Sequence, residues 1–297
     1  MRHALTALCA AFLAASCTIM PEPVPVNVIF MGKTPVHVKG GIDDDSIGHL
    51  DLLVFRNRDG MLLDKCCRDG NLPMEARLPS GEQCRWYIVA NAEGRFDGCT
   101  FLEEFLETEI ALTDGPVMHS EGLSVFWESG TTVQADLRRF ACKVGLGSIC
   151  MNWTDALPCT VKTVALTNVL ETTSPDQTST HNTLVNCGVV SEDLDGLIAS
   201  YPELELDTQV PVEIGTTLFC MPSGGSTRLA LCISAPDGLN WYPIELPQME
   251  ENHFYLVDNV VINGPGAPGP DMPVERIPAS FDVSIKPWEE NNVPIQL

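Results

Sequence analysis

Positive charge is scarce in this chain. Lys and Arg total 17 against 40 Asp and Glu, a formal net charge of −23 over 297 residues. Such a surface repels phosphate backbones, which excludes nucleic acid as a partner. Charge alone does not hold it to an anionic membrane either. Histidine is sparse: besides His3, only His37, His49, His119, His181 and His253 occur, at no metal-ligand spacing. The twelve cysteines contain no Cys-x-x-Cys pair. Also missing are a Gly-x-Ser-x-Gly elbow, a His-Glu-x-x-His helix, a phosphate-binding glycine loop and a Gly-x-Gly-x-x-Gly turn. Three consecutive aspartates, Asp43 to Asp45, lack the spacing, glycine and glutamate of a calcium loop. The neighbouring carboxylates Glu103-Glu104 and Glu289-Glu290 carry little weight, because a glycosidase pair is defined by separation in space. The expectation is a protein that is not an enzyme and that holds no metal or cofactor.

Apolar residues make up 44% of the chain, enough to build real cores and too many for a disordered protein. The start of the chain reads as an export signal. Arg2 and His3 precede an apolar stretch over residues 4–15, too short to span a membrane. Ala14, Ala15 and Ser16 then run into Cys17, as in a bacterial lipobox, with Ala14 where leucine is commonest and Leu13 one position early. On this reading residues 1–16 are a lipoprotein signal peptide, Cys17 is acylated, and the proline-rich residues 17–23 are a tether. Export permits disulfides, but their connectivity does not follow from sequence. Several cysteines stand on apolar strand faces, as Cys142 does in line with Phe140 and Val144, and read as small buried hydrophobes. The vicinal pair Cys66-Cys67 falls in a polar, turn-like region.

Periodicity supplies the rest. Val24, Val26, Val28 and Phe30 alternate with Pro25, Asn27 and Ile29, a first strand. Residues 50–55 (LDLLVF) form a more buried strand ending in an Asp-Gly turn, and residues 84–91 form another. Residues 101–108 show helical spacing, with Phe101, Leu102, Phe105 and Leu106 on one side. Phe140, Cys142, Val144 and Leu146 share one face of a long strand. Further strands are expected over 117–119, 123–127, 132–137, 160–166, 216–221, 228–234, 241–246 and 254–262, with a polar loop over 171–186. Phe281, Val283 and Ile285 alternate with Asp282, Ser284 and Lys286 in a final strand, followed by Trp288. Many short strands separated by turn signals predict β-sandwiches. The length fits two, divided near residue 135 into 24–134 and 135–297.

The ordered landmarks resemble the fimbrillins, the subunits of bacterial type V pili that include the FimA-like major, accessory and anchor proteins. They are the lipobox and first strand, LDLLVFRNRDG at 50–60, YIVAN at 87–91, the strand over 137–149 and VALTN at 164–168. TLFCMPSGGSTRLAL at 217–231, the segment 252–271 and the terminal strand with its tryptophan at 281–288 complete the set. The resemblance implies an all-β fold of two tandem transthyretin-like, Greek-key sandwiches on an outer-membrane lipoprotein. It also implies that an arginine-specific protease removes the first strand, here Val24, Val26, Val28 and Phe30. A strand donated by another subunit then fills the groove, with Phe281, Val283, Ile285 and Trp288 as its donor counterpart here. One departure stands out: residues 32–48 hold Lys33 and Lys39 but no arginine, and the nearest is Arg56. This tilts the expectation toward an accessory or anchor subunit.

Two readings of function stay open at this point. One is a structural subunit of a cell-surface fimbria, joined head to tail to other fimbrial subunits and to the outer membrane through its lipid. The alternative is a non-polymerising surface lipoprotein that binds glycans or host or bacterial surface ligands, with Trp127, Trp153 and Trp241 as candidate aromatics. Both require acylation. A clickable fatty acid fed to expressing cells is expected to label the protein and to lose all signal in Cys17→Ser; unchanged labelling overturns the lipoprotein assignment.

Overall fold

Residues 50–55 are apolar at almost every position, and a strand tolerates that only when both of its faces are covered. The computed structural model bears this out. It describes residues 23–30, 47–69, 74–79, 81–111, 117–120, 122–126, 132–135, 137–170, 172–176, 184–185, 198–206, 210–223, 227–270 and 279–287. Its first strands are β1 (Pro23–Phe30), β2 (His49–Arg56), β3 (Leu62–Asp69), β4 (Met74–Pro79) and β5 (Gln83–Ala90). The short helix α1 (Leu102–Leu106) precedes β6 (Ile110–Ala111), β7 (Met118–His119), β8 (Leu123–Phe126), β9 (Thr132–Ala135) and β10 (Arg138–Arg139). There follow β11 (Cys142–Met151), β12 (Cys159–Thr167), β13 (Val169–Leu170), β14 (Thr172–Thr173), β15 (Leu184–Val185) and β16 (Ile198–Leu206). The last are β17 (Val212–Cys220), β18 (Arg228–Ala235), β19 (Gly238–Glu245), β20 (His253–Ile262) and β21 (Ala279–Pro287).

The fold is all-β, and its strands fall into two sets. In the first, β10-β7-β5-β2-β3 form one sheet, with β8 flanking the other half of β5, and β4-β1-β9 form a second. One face of β2 and β5 presents Leu50, Leu52, Val54, Trp86 and Ile88 to a core that Ala135 of β9 also enters. The other face presents Leu53, Phe55, Tyr87 and Val89, covered by the segment that follows β5 and by α1. Phe105 of α1 seats against Tyr87, ring centroids 4.7 Å apart, and against Phe55 at 5.7 Å. The helix is shorter than its periodicity predicts, and Phe101 stands 47% exposed just before it. Glu104 starts it: its Oε2 accepts from the Thr100 amide (2.7 Å), the Thr100 hydroxyl (2.9 Å) and the Phe101 amide (3.0 Å). These bonds hold its carboxyl below the usual range.

In the second set, β17-β11-β20-β21 and β16-β12-β18-β19 pack face to face. Val144, Leu146, Val161, Leu231, Tyr242, Tyr255 and Val257 fill the space between them. The polar tips are satisfied: Tyr242 donates to the Gly264 carbonyl at 2.9 Å, and the Tyr255 hydroxyl accepts from the Glu250 amide at 2.7 Å. Pairing passes from the first set to the second between Arg139 and Cys142, a few residues beyond the expected division at 135. Only the two-residue ladder of β6 with β14 crosses over, among the described strands.

Asparagine marks three strand ends, at 91, 168 and 252, and the bulge within β20, at 259. Asn91, Asn168, Asn252 and Asn259 all have positive φ, between 51° and 60°, a left-handed conformation that asparagine tolerates far better than β-branched residues. The Asn91 side chain also accepts from the Gly48 amide at 2.8 Å, closing the start of β2.

The two sets meet at a buried polar joint. The Phe140 ring stacks on His119 at 4.0 Å, and His119 Nε2 lies 2.9 Å from Glu251 Oε2. The Arg139 amide and guanidinium both donate to Asn252 Oδ1 at 3.3 Å, and the Asn252 amide donates to the Ala141 carbonyl at 3.0 Å. His119 and Arg139 are 6% and 4% exposed, so their contacts are screened little by solvent. Further along β20, Asp258 pins a bulge. Its Oδ1 accepts from the Ser148 hydroxyl (2.7 Å), the Ser148 amide (2.8 Å) and the Asn259 amide (2.8 Å). A Cβ at Gly147 would stand 2.5 Å from that oxygen, which explains the glycine.

Two measurements check these contacts. A double-mutant cycle of His119→Ala and Glu251→Ala by urea denaturation is expected to give a coupling of about 1–2 kcal/mol; zero coupling overturns the joint. Asp258→Ala is expected to cost about 1–2 kcal/mol at pH 7. The Ser148 and Asn259 donors hold the Asp258 carboxyl below its ordinary value. Its contribution is therefore present above pH ~4 and is lost as pH falls through the lower folded value. The gap between the two proteins should narrow at pH 3, and a gap independent of pH would contradict this account.

Candidate functional site

The first strand of the chain lies inside a sheet. β1 runs antiparallel to β4, with Pro23 opposite Pro79 through Val28 opposite Met74. It runs parallel to β9, with Asn27 opposite Thr132 through Phe30 opposite Ala135. Val24, Val26, Val28 and Phe30 are thus positions of an internal strand. Ala135, the Cα partner of Phe30, is 2% exposed in the core behind this sheet. Taking β1 away would leave two rows of backbone donors and acceptors facing each other across one strand width, above that core.

The last described strand lies at an edge. Among the described strands β21 pairs with β20 alone, antiparallel, from His253 opposite Pro287 to Ile262 opposite Ala279. Phe281 and Val283 are half-buried against the core of their own sandwich, whereas Ile285 is 52% exposed. The Asn259 amide group donates to Asp282 Oδ2 at 3.1 Å, a side-chain tie between β20 and β21. The predicted donor positions share one face of β21, Phe281 and Val283 half-buried and Ile285 exposed beyond the core, while Trp288 lies outside the described residues. So do Cys17, Lys33, Lys39 and Trp127.

Other candidates resolve into structural roles. Trp153 packs against the second core. Trp241 is half-buried, and its backbone exchanges two 2.8 Å hydrogen bonds with Ala267. Cys66 and Cys67 sit within β3, opposite Leu52 and Asp51, and not in a turn. The polar appearance of that stretch comes from its position at the sheet edge. His49 joins a charged group at the end of β2 and β3. Burial opposes its protonation, but the Asp69 hydrogen bond (3.0 Å) together with Asp51 and Glu93 raises its pKa overall. Burial pushes the Asp51 carboxyl up against the pull of Lys65 and His49. Among the described residues no three His, Cys, Asp or Glu side chains are placed to hold a metal ion. A shallow cleft of about 420 Å³ is lined by Phe101, Leu102, Leu106, Asp59, Glu103 and Asp176. Sequence reasoning missed the His119–Glu251 joint, whose members lie 132 positions apart, and no local signal marks it.

No protein-family model matches the sequence, and no curated protein matches it. Solved structures do. A candidate cell adhesion protein from Parabacteroides distasonis superposes with a TM-score of 0.66 at 13% identity, over 90% of this chain and 97% of that one. Another, from Bacteroides eggerthii, gives 0.64 at 16% identity, over 91% and 97%. A fimbrilin (fimA) from Porphyromonas gingivalis gives 0.61 at 13% identity, over 91% and 99%. The likeness at these identities is one of fold, and over nine-tenths of its length this chain is fimbrillin-like in fold.

Proposed function

We propose that this chain is a structural subunit of a cell-surface fimbria of the type V kind, carried to the outer membrane as a lipoprotein acylated at Cys17. Its two strand sets act as two transthyretin-like sandwich domains. It joins other fimbrial subunits head to tail by strand exchange. The observation that carries this reading is the place of β1, the start of the chain held between β4 and β9 in a fimbrillin-like fold. An internal strand supplied from one end of a chain is the strand that another molecule can replace.

The slot has a useful property. Because β1 is antiparallel to β4 and parallel to β9, those two strands run opposite to each other. A replacement strand entering in either direction finds one antiparallel and one parallel partner. Main-chain hydrogen bonds then supply affinity, and alternating side chains supply register. At ~25 cal/mol per Å² of apolar surface, three or four inserted side chains contribute several kcal/mol. The donor is the C-terminal strand with Phe281, Val283, Ile285 and Trp288. A contact of this kind is heterologous and does not close, so it builds filaments.

Release of β1 is the limiting half. Arg56 ends β2, which is paired on both sides by β3 and β5. A cut there would remove a central strand together with β1, so Arg56 is no trimming site. This supports an untrimmed accessory or anchor subunit that donates a strand and keeps its own groove filled.

Expression of the precursor in a pilus-forming host tests the proposal. The expected mature N-terminus is Cys17, and the expected product is an SDS-resistant complex with fimbrial subunits that disappears when residues 279–297 are deleted. Ile285→Asp should weaken that complex at least tenfold while leaving the melting temperature of the isolated chain within about 2 °C, since its side chain is exposed in the monomer. A chain that keeps its lipid and never enters such a complex overturns the fimbrial reading. A cut between residues 32 and 48, with ladders of this chain alone, would overturn the anchor role and make it a stalk subunit.

A further inference from the structure

Cys142 is the first residue of β11 and Cys220 the last of β17, and the two are Cα partners across an antiparallel ladder. Opposed residues in such a ladder have Cα atoms ~4.5–5.5 Å apart, within the ~4.4–6.8 Å that a disulfide spans. Both side chains are 0% exposed, and their sulfurs lie 3.7 Å apart. Cys142 Sγ also donates to the Cys220 carbonyl at 3.2 Å, and Cys220 Sγ lies 3.9 Å from Met249 Sδ. As thiols the pair uses a weak donor where a covalent bond would close on a rotation about Cα–Cβ.

We propose that Cys142 and Cys220 form a cross-strand disulfide in the exported protein. The step is thiol–disulfide exchange. One cysteine thiolate attacks an external disulfide such as glutathione disulfide and releases one thiol; the second cysteine attacks the mixed disulfide and releases another. Two cysteine S–H bonds are lost, one S–S bond forms, and the two electrons reduce the external disulfide to two thiols. Burial pushes the Cys142 thiol well up in the folded state. Exchange therefore belongs to folding, before the sandwich closes, and the finished bond is then sheltered from reductant. The bond would close a loop between residues 78 positions apart. It also occupies a chosen place. Phe140 and Met221, flanking it in sequence, pack in the aromatic core of the first strand set, while Cys142 and Cys220 lie in the second. The staple fixes the edge strand β17 where the chain passes from one core to the other.

The proposal rests on export to an oxidising compartment, and two arms keep geometry and compartment apart. The full chain is refolded with excess glutathione disulfide, blocked with iodoacetamide, digested without reduction and mapped by mass spectrometry. The expected product is one peptide pair joining Cys142 to Cys220, lighter than the two thiol peptides by two hydrogens. The oxidised protein is expected to melt roughly 10 °C above the reduced protein, by loop-entropy scaling, and Cys142→Ala/Cys220→Ala should melt alike with and without dithiothreitol. Recovery of folded protein with both sulfurs carbamidomethylated, or with either joined to another cysteine, overturns the proposal. In the second arm the protein is taken from the envelope of expressing cells. The linked peptide there supports the proposal in full; thiols there, with the link present in the refolded chain, overturn export to an oxidising compartment and leave the geometry standing.

Discussion

An internal strand has its backbone hydrogen-bonding groups paired on both sides, and β1 holds such a place between β4 and β9. The consequence reaches beyond one ladder. Ala135, which pairs with β1, shares a core with Leu50, Val54, Trp86 and Met118, so the sheet that β1 completes is also the cover of that core. The eight residues of β1 tie together β4 and β9, and Ala135 of β9 belongs to that core. At the opposite end of the chain the condition is met halfway. β21 has a neighbour on one side, and its outward residues Asp282, Ser284 and Lys286 are exposed and polar, the usual means of keeping an edge soluble.

The parts of this arrangement that were legible in sequence are those decided locally. Residues 50–55 and 84–90 read as strands because a run buried on both faces leaves a continuous apolar string, and Phe140, Cys142, Val144 and Leu146 are all at most 1% exposed, as their alternation requires. Even there the shared face is divided, since Phe140 enters the first core and the other three enter the second. The asparagines at 91, 168 and 252 belonged to recognisable strand-end motifs, and the left-handed backbone at each gives those motifs a physical reason. β4 and β16 went unread because their sequences, MEARLP and IASYPELEL, contain prolines and charges that argue against a strand. β3 went unread beyond its first residues because the charges of LLDKCCRD break any apolar alternation. Register and long-range pairing had no local trace. Nothing near His119 announces Glu251, and nothing near Cys142 announces Cys220, because each pair is set by how two sheets meet.

Chemistry distributes in the same way. The perturbed groups sit at structural corners: Glu104 at a helix start, Asp258 at a bulge, Asp51 and His49 at the end of a ladder. Shifted ionisation often marks active sites, but ion-pair and capping networks shift it as well. At Glu104 and Asp258 the cause is donors that hold the backbone in place, whereas Asp51 is pushed up by burial and His49, against its burial, is raised by neighbouring carboxylates.

In the proposed fimbrial role a load along the chain would pass through the joint at His119, Phe140, Arg139 and Asn252, and this bears on which end of the molecule can move. The joint is buried, covered by rings and tied by several hydrogen bonds, so it resists a lateral pull. β21 differs in kind. Only Phe281 and Val283 lean on the core, each half-buried, and peeling the strand from β20 gives up one ladder and leaves the rest of the sandwich intact. Withdrawing β1 gives up two ladders at once and uncovers a core. Donating the C-terminal strand therefore gives up one ladder where vacating the N-terminal slot gives up two. On the proposed strand exchange, vacating the acceptor slot is thus the demanding half and freeing the donor the undemanding one. Residues 32–48 hold no arginine, so in the proposed anchor role the slot stays filled while the C-terminal strand stays available, the asymmetry that the end of a filament requires.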